Sequence, residues 1–105
     1  MTEDLRVVLV TAPIDRAEFL ARTVVTEGLA ACVNIVPGVR SIYRWEGQIC
    51  DDEEALLVVK TSAAKVVELT ARIRAIHPYK LPEVLAIPVD VTMGNEAYLR
   101  WVAGS

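Results

Sequence analysis

The chain has one histidine, two cysteines and one phenylalanine among its 105 residues, and aromatic side chains make up only 6% of it. One histidine cannot close a zinc or copper site, which takes three or four ligands, so a metal centre would need other residue types or symmetry copies. Cys32 and Cys50 are able to pair in principle, but in a reducing compartment the default is two free thiols. Cys32, inside "LAACVNIV", reads as a small core residue rather than a nucleophile. Basic charge is not in excess either. The net charge is −3 with both signs mixed along the chain, which is not the footprint of a nucleic-acid binder. Long apolar runs are missing, since stretches such as Leu29–Val33 fall far short of the roughly 20 residues a membrane span needs. "MTEDLRVVLV" places acids before a short apolar run, the reverse of a signal peptide, so a cytoplasmic address is expected. No Gly-rich phosphate loop, HExxH, CxxC or GxSxG occurs, which argues against an enzyme.

What the chain does have is apolar residues, 53% of the total. A single domain over 1–105 cannot bury that much surface alone, and a stable oligomer is the economical expectation. Leu5–Val10 reads as a strand that ends at Pro13. Asp15 and Glu18 then have capping-box spacing, and Ala17, Leu20, Ala21 and Val24 share one face of a helix over roughly 15–27, with Gly28 at its C-terminal end. "LAACVNIV" and "VRSIYRW" read as strand around a bulge or bend at Pro37-Gly38. Glu46-Gly47 supplies a turn, and "QICDDEEALLVVKT" returns, so a long hairpin arm is expected.

Ser62 is placed to cap a second helix carrying Val66, Leu69, Ile73 and Ile76, which His77-Pro78 ends. "EVLAIPVDV" is the last strand, and its Pro88 argues for an edge or a bulge. Asn95 caps a short helix bearing Tyr98, Leu99 and Val102. The order predicts an α+β fold, a ferredoxin-like βαββαβ sandwich with an extra C-terminal helix.

Two stretches carry candidate chemistry. "AIHPYKLPEV" (75–84) crowds His77, Tyr79, Lys80 and Glu83 between prolines. His77 there is either a last-turn residue whose positive form suits the helix dipole or a metal ligand. "CDDEEA" (50–55) carries four successive carboxylates, but strand alternation lets at most two neighbours converge, so a solvated arm is the plainer reading.

"VTAP" (10–13), "LAACVNIVPGVRSIYRWEG" (29–47), "LLVVKT" (56–61), "HPYKLPEVLAIPV" (77–89) and "YLRW" (98–101) resemble the CutA family, the divalent-cation tolerance proteins. The resemblance spans almost the whole chain. It implies a homotrimer similar in architecture to the PII signalling proteins, with the hairpin arms joining neighbouring sheets, and a role in tolerating or binding divalent metals such as copper. Some bacterial members place a cysteine before T-A-P and a second histidine before H-P-Y. Here those positions are Val10 and Ile76, which leaves His77 as the one anchor of a weak copper site, with zinc less favoured and no cofactor tightly bound.

On this reading the corner lines an inter-subunit cleft, where His77, Tyr79 and Glu83 face Lys60 and Trp45 from the arm. The alternative is that the same residues form a satisfied structural hydrogen-bond network. Two functions follow: a non-enzymatic trimeric metal-tolerance protein that binds a divalent ion, or a PII-like signalling module that takes a small anionic metabolite through Lys60, Arg44 and Lys80. Neither involves nucleic acid or membrane.

Overall fold

The computed structural model describes residues 3–105. In chain order it contains β1 (Leu5–Ala12), α1 (Ile14–Thr26), β2 (Cys32–Trp45), β3 (Gln48–Ser62), α2 (Val66–Ile76), β4 (Leu85–Pro88) and α3 (Glu96–Ala103). The strands form one sheet in the order β2-β3-β1-β4, with every neighbouring pair antiparallel. This is the expected ferredoxin-like α+β sandwich with its additional C-terminal helix.

The core lies where the sheet meets the first two helices. Val8, Val10 and Ala12 of β1 stand opposite Val59, Leu57 and Ala55 of β3, and all six are buried in the main apolar cluster. Facing strand partners share a side of the sheet, so they make one apolar face. α1 lays Ala17, Leu20 and Val24 on that cluster and α2 adds Leu69 and Ile73, the positions that helical periodicity singled out. Each fully buried Val, Leu or Ile there contributes about 1.5–3 kcal/mol relative to exposure.

Two helix starts differ from expectation. β1 runs up to Ala12, so Pro13 takes the N-cap place of α1 without a side-chain cap. Asp15 falls in the first turn, where its charge suits the dipole, and Glu18 pairs with Arg22 at 2.7 Å instead. Ser62 likewise makes no side-chain cap. β3 continues through it, it is buried, and a short 3-10 turn over Ala63–Lys65 leads into α2. The end of α1 is as expected: Gly28 has φ +74°, while Leu29 N–H donates to Val24 O at 2.9 Å and Gly28 N–H to Val25 O at 3.1 Å. Those two bonds satisfy carbonyls that the helix would otherwise leave free.

β2 and β3 have 14 and 15 residues, against a usual strand of about 5–6. Their ladder shifts register between Val36 and Val39, at the Pro37-Gly38 bulge, and Gly38 has φ +75°. The tip closes through Glu46 and Gly47, both at positive φ, 49° and 78°, the backbone of the tightest hairpin turns. Ile42 and Ile49 on this arm are 67% and 66% exposed. β4 is shorter than the sequence pattern suggests, because Pro88 ends it. It occupies a sheet edge, where a residue without an N–H does least damage.

Candidate functional site

On the arm, Ser41 stands opposite Asp52, Val39 opposite Glu54 and Tyr43 opposite Cys50. These residues share one face, and Asp51 and Glu53 take the other. On that second face Arg40 grips Asp51 through two bonds of 2.7 and 2.9 Å. The four consecutive acids therefore divide two and two, as alternation requires. The plain solvated-arm reading needs one correction: Glu54 is only 5% exposed.

What covers Glu54 is the corner after α2. Pro78 keeps His77 out of the helical region, and His77 has φ −77° and ψ 139°. Its N–H still completes the helix by donating to Ile73 O at 2.8 Å. The ring, 8% exposed, turns back onto β1. Nε2 bonds to Thr11 O at 2.8 Å and Nδ1 to the Tyr79 N–H at 3.0 Å. A carbonyl accepts and an amide donates, so the ring is the neutral tautomer protonated on Nε2. Both ring nitrogens are thus engaged by backbone groups of β1 and the corner rather than facing solvent at the helix end. Tyr79 continues the chain of contacts, its hydroxyl donating to Glu54 Oε2 at 2.7 Å. Thr11, His77, Tyr79 and Glu54 thus tie β1, the corner and the arm together.

Between arm and corner lies a cavity of about 850 Å³. Ile42, Tyr43 and Trp45 line it from the arm, and Pro78, Tyr79 and Leu81 from the corner. Its charged groups are Glu46, Asp52, Glu54 and Glu83, with Lys80 as the one cation. Burial, and then the negative Glu54, hold the Glu83 carboxyl above its usual range. The Tyr79 hydroxyl is raised well above the tyrosine range, first by burial and then by its bond to Glu54. Tyr43 is pushed up to about 12 by the hydroxyl bond it donates to Asp52.

The structure gathers Trp45, Tyr79, Glu83 and Lys80 around one space. Lys60 is not there. It is six residues along β3 from Glu54, roughly 20 Å at the strand rise, and its ammonium bonds to Asn34 Oδ1. Arg44 falls between Tyr43 and Trp45, and alternation turns it to the opposite face of the arm. His77 stands behind the cavity wall, with both ring nitrogens engaged. Tyr43 was not singled out by the sequence reading, and Asp52 and Glu54 entered it only as part of the four-acid run, read as a solvated arm. The signal that finds them is the register: with Glu46-Gly47 as a two-residue turn, pairing places residues 43, 52 and 54 on the Trp45 side.

A preassembled metal centre does not fit these residues. Among the described residues no three His, Cys, Asp or Glu side chains converge on one point, and both cysteines are free. Val10 is fully buried in the core, with Ile76 packed against it.

A four-stranded antiparallel sandwich whose long arm and helix-to-strand corner enclose an acidic, aromatic cavity defines a ferredoxin-like domain built around a potential binding site. Comparison with known proteins narrows this. A model of the CutA1 divalent ion tolerance protein family matches residues 6–105, and the chain belongs to that family. It is 48% identical over 97 residues to the divalent-cation tolerance protein CutA of Thermus thermophilus, covering 91% of this chain and 92% of that one. The crystal structure of CutA1 from Oryza sativa superposes with a TM-score of 0.93 at 43% identity, over 98% of this chain and 94% of the other. The apo form of the PII-like protein CutA from Nostoc gives a TM-score of 0.89 at 38% identity, over 94% of each chain. The chain spans about half the length of several curated animal and plant relatives that it matches.

Proposed function

We propose that this protein is a non-enzymatic divalent-cation tolerance protein, working as a cytoplasmic homotrimer and holding cations weakly in the cavity between arm and corner. The observation that carries this reading is the charge of the cavity, four carboxylates against one ammonium. Kinship with proteins named for divalent-ion tolerance supports it. The exposed apolar residues of the arm and of β4, among them Ile42, Ile49, Leu85 and Ile87, support an assembly of several copies. Weak binding follows from the ligand geometry. Copper prefers nitrogen and sulfur donors, and His77 offers Nδ1 only by releasing the Tyr79 amide.

The metabolite alternative loses most of its cationic support, since of Lys60, Arg44 and Lys80 only Lys80 lines the cavity. Titration calorimetry with copper at pH 7.5 tests the reading. Weak binding that falls in the Asp52→Asn, Glu54→Gln double variant is the expected result, and affinity unchanged in that variant would overturn it. Loss of binding in His77→Ala alone would return the anchor role to the histidine.

A further inference from the structure

The four cavity carboxylates lack an ion-pair partner that four other acids of this protein have. Glu18, Glu27, Asp51 and Glu96 each hold an arginine within 2.8 Å, whereas among the described residues no arginine or lysine forms an ion pair with Glu46, Asp52, Glu54 or Glu83. Glu54 is the most buried of the four, at 5% exposed. One of its oxygens receives the Tyr79 hydroxyl at 2.7 Å. The other has no hydrogen-bond donor among the described residues, and the carboxylate lines the cavity.

Two further features restrict what supplies the missing positive charge. The acids are spread around about 850 Å³ rather than gathered in threes, so they suit a charge carried on a molecular body better than a bare ion. The wall between them includes Tyr43, Trp45 and Tyr79, aromatic faces that attract cations, and Ile42 and Leu81, which suit an apolar body.

We propose that the cavity binds a small organic ammonium ion, with its charge on Glu54 and Glu83 and its carbon body against Trp45 and Tyr79. The proposal rests on the reading of the cavity as a cation site and names the class of cation it is shaped for.

Three four-carbon molecules of similar size separate charge from shape: 1,4-diaminobutane, 1,4-butanediol and succinate. Calorimetry of the full chain at pH 7.5 is expected to show the diamine binding at least about tenfold more tightly than the diol, because opposite charges attract, and no succinate binding, because its carboxylates meet carboxylates of the same sign. Trp45→Ala should weaken the diamine by about threefold to thirtyfold, the range of a cation on an aromatic face, and leave copper affinity unchanged. Glu54→Gln should weaken both ligands, and Glu83→Gln takes its place if the buried substitution does not fold. Diol binding as tight as diamine binding, or preference for succinate, overturns the proposal. Copper binding without diamine binding sinks this inference and leaves the tolerance reading standing, whereas failure of both ligands removes both.

Discussion

Glu83 and Glu54 meet across the cavity wall, and the consequence is a stability that depends on pH. Glu83 has its carboxyl raised above the usual 4.5 by burial and by Glu54. An acid raised in the folded state is neutral in both states at low pH. As pH climbs past 4.5 the unfolded chain ionises first, so this group lowers stability progressively until the folded carboxyl has also ionised. Glu83→Gln removes that loss: its melting temperature should exceed the parent's at pH 7, and the two should coincide below about pH 4. Thermal melts at both pH values check this, and an equal difference at both would refute it. His77 behaves differently. Its ring serves the Thr11 carbonyl and the Tyr79 amide, so His77→Ala removes two part-buried hydrogen bonds that tie the corner to β1. A loss of about 1–3 kcal/mol in denaturant unfolding is expected. Position after the helix and before Pro78 made His77 conspicuous in the sequence. Its bond to the Thr11 carbonyl was not legible there, because Thr11 lies 66 residues away.

Elements divide in the same way between local and distant causes. Asn95 caps α3 as its sequence signal suggested, accepting from the Ala97 and Tyr98 amides at 3.1 and 3.3 Å. Asn95→Ala should cost about 1 kcal/mol, measurable by urea unfolding. At the arm tip a Cβ on Gly47 would meet nothing within 4 Å, so Gly47→Ala isolates the backbone term. With φ +78°, the expected loss is about 1–2 kcal/mol, and no loss would show that the turn relaxes. The bulge and the end of α1 were legible because Pro37, Gly38 and Gly28 constrain their own backbone. Asp15 and Ser62 had the right chemistry for caps but do not serve as such. The strands beside them extend to Ala12 and Ser62, a choice made by the partner strands in the ladder.

For the whole molecule, the arm dominates. The molecule measures 47 × 26 × 22 Å, and Ile42 and Ile49 stand about two-thirds exposed on a hairpin with little of the core beneath it. If the arm joins copies in a trimer, light scattering should give about three times 11.5 kDa, and Ile42→Asp with Ile49→Asp should shift that mass toward the monomer. A monomeric parent protein at micromolar concentration would refute the assembly.

The sequence by itself determined the order of elements, the apolar faces of α1 and α2, the arm with its bulge and the edge position of Pro88. Each rests on the periodicity or backbone restriction of neighbouring residues, and neighbours are what a sequence displays. Only the tertiary structure decided that Glu54 is buried under Tyr79, that Lys60 lies roughly 20 Å along its strand from the cavity, and that His77 has no free nitrogen. Those outcomes depend on which residues meet across the fold. Tyr79 reaches Glu54 over 25 positions of chain, and it does so because His77 anchors the corner to β1, a bond that no local pattern encodes.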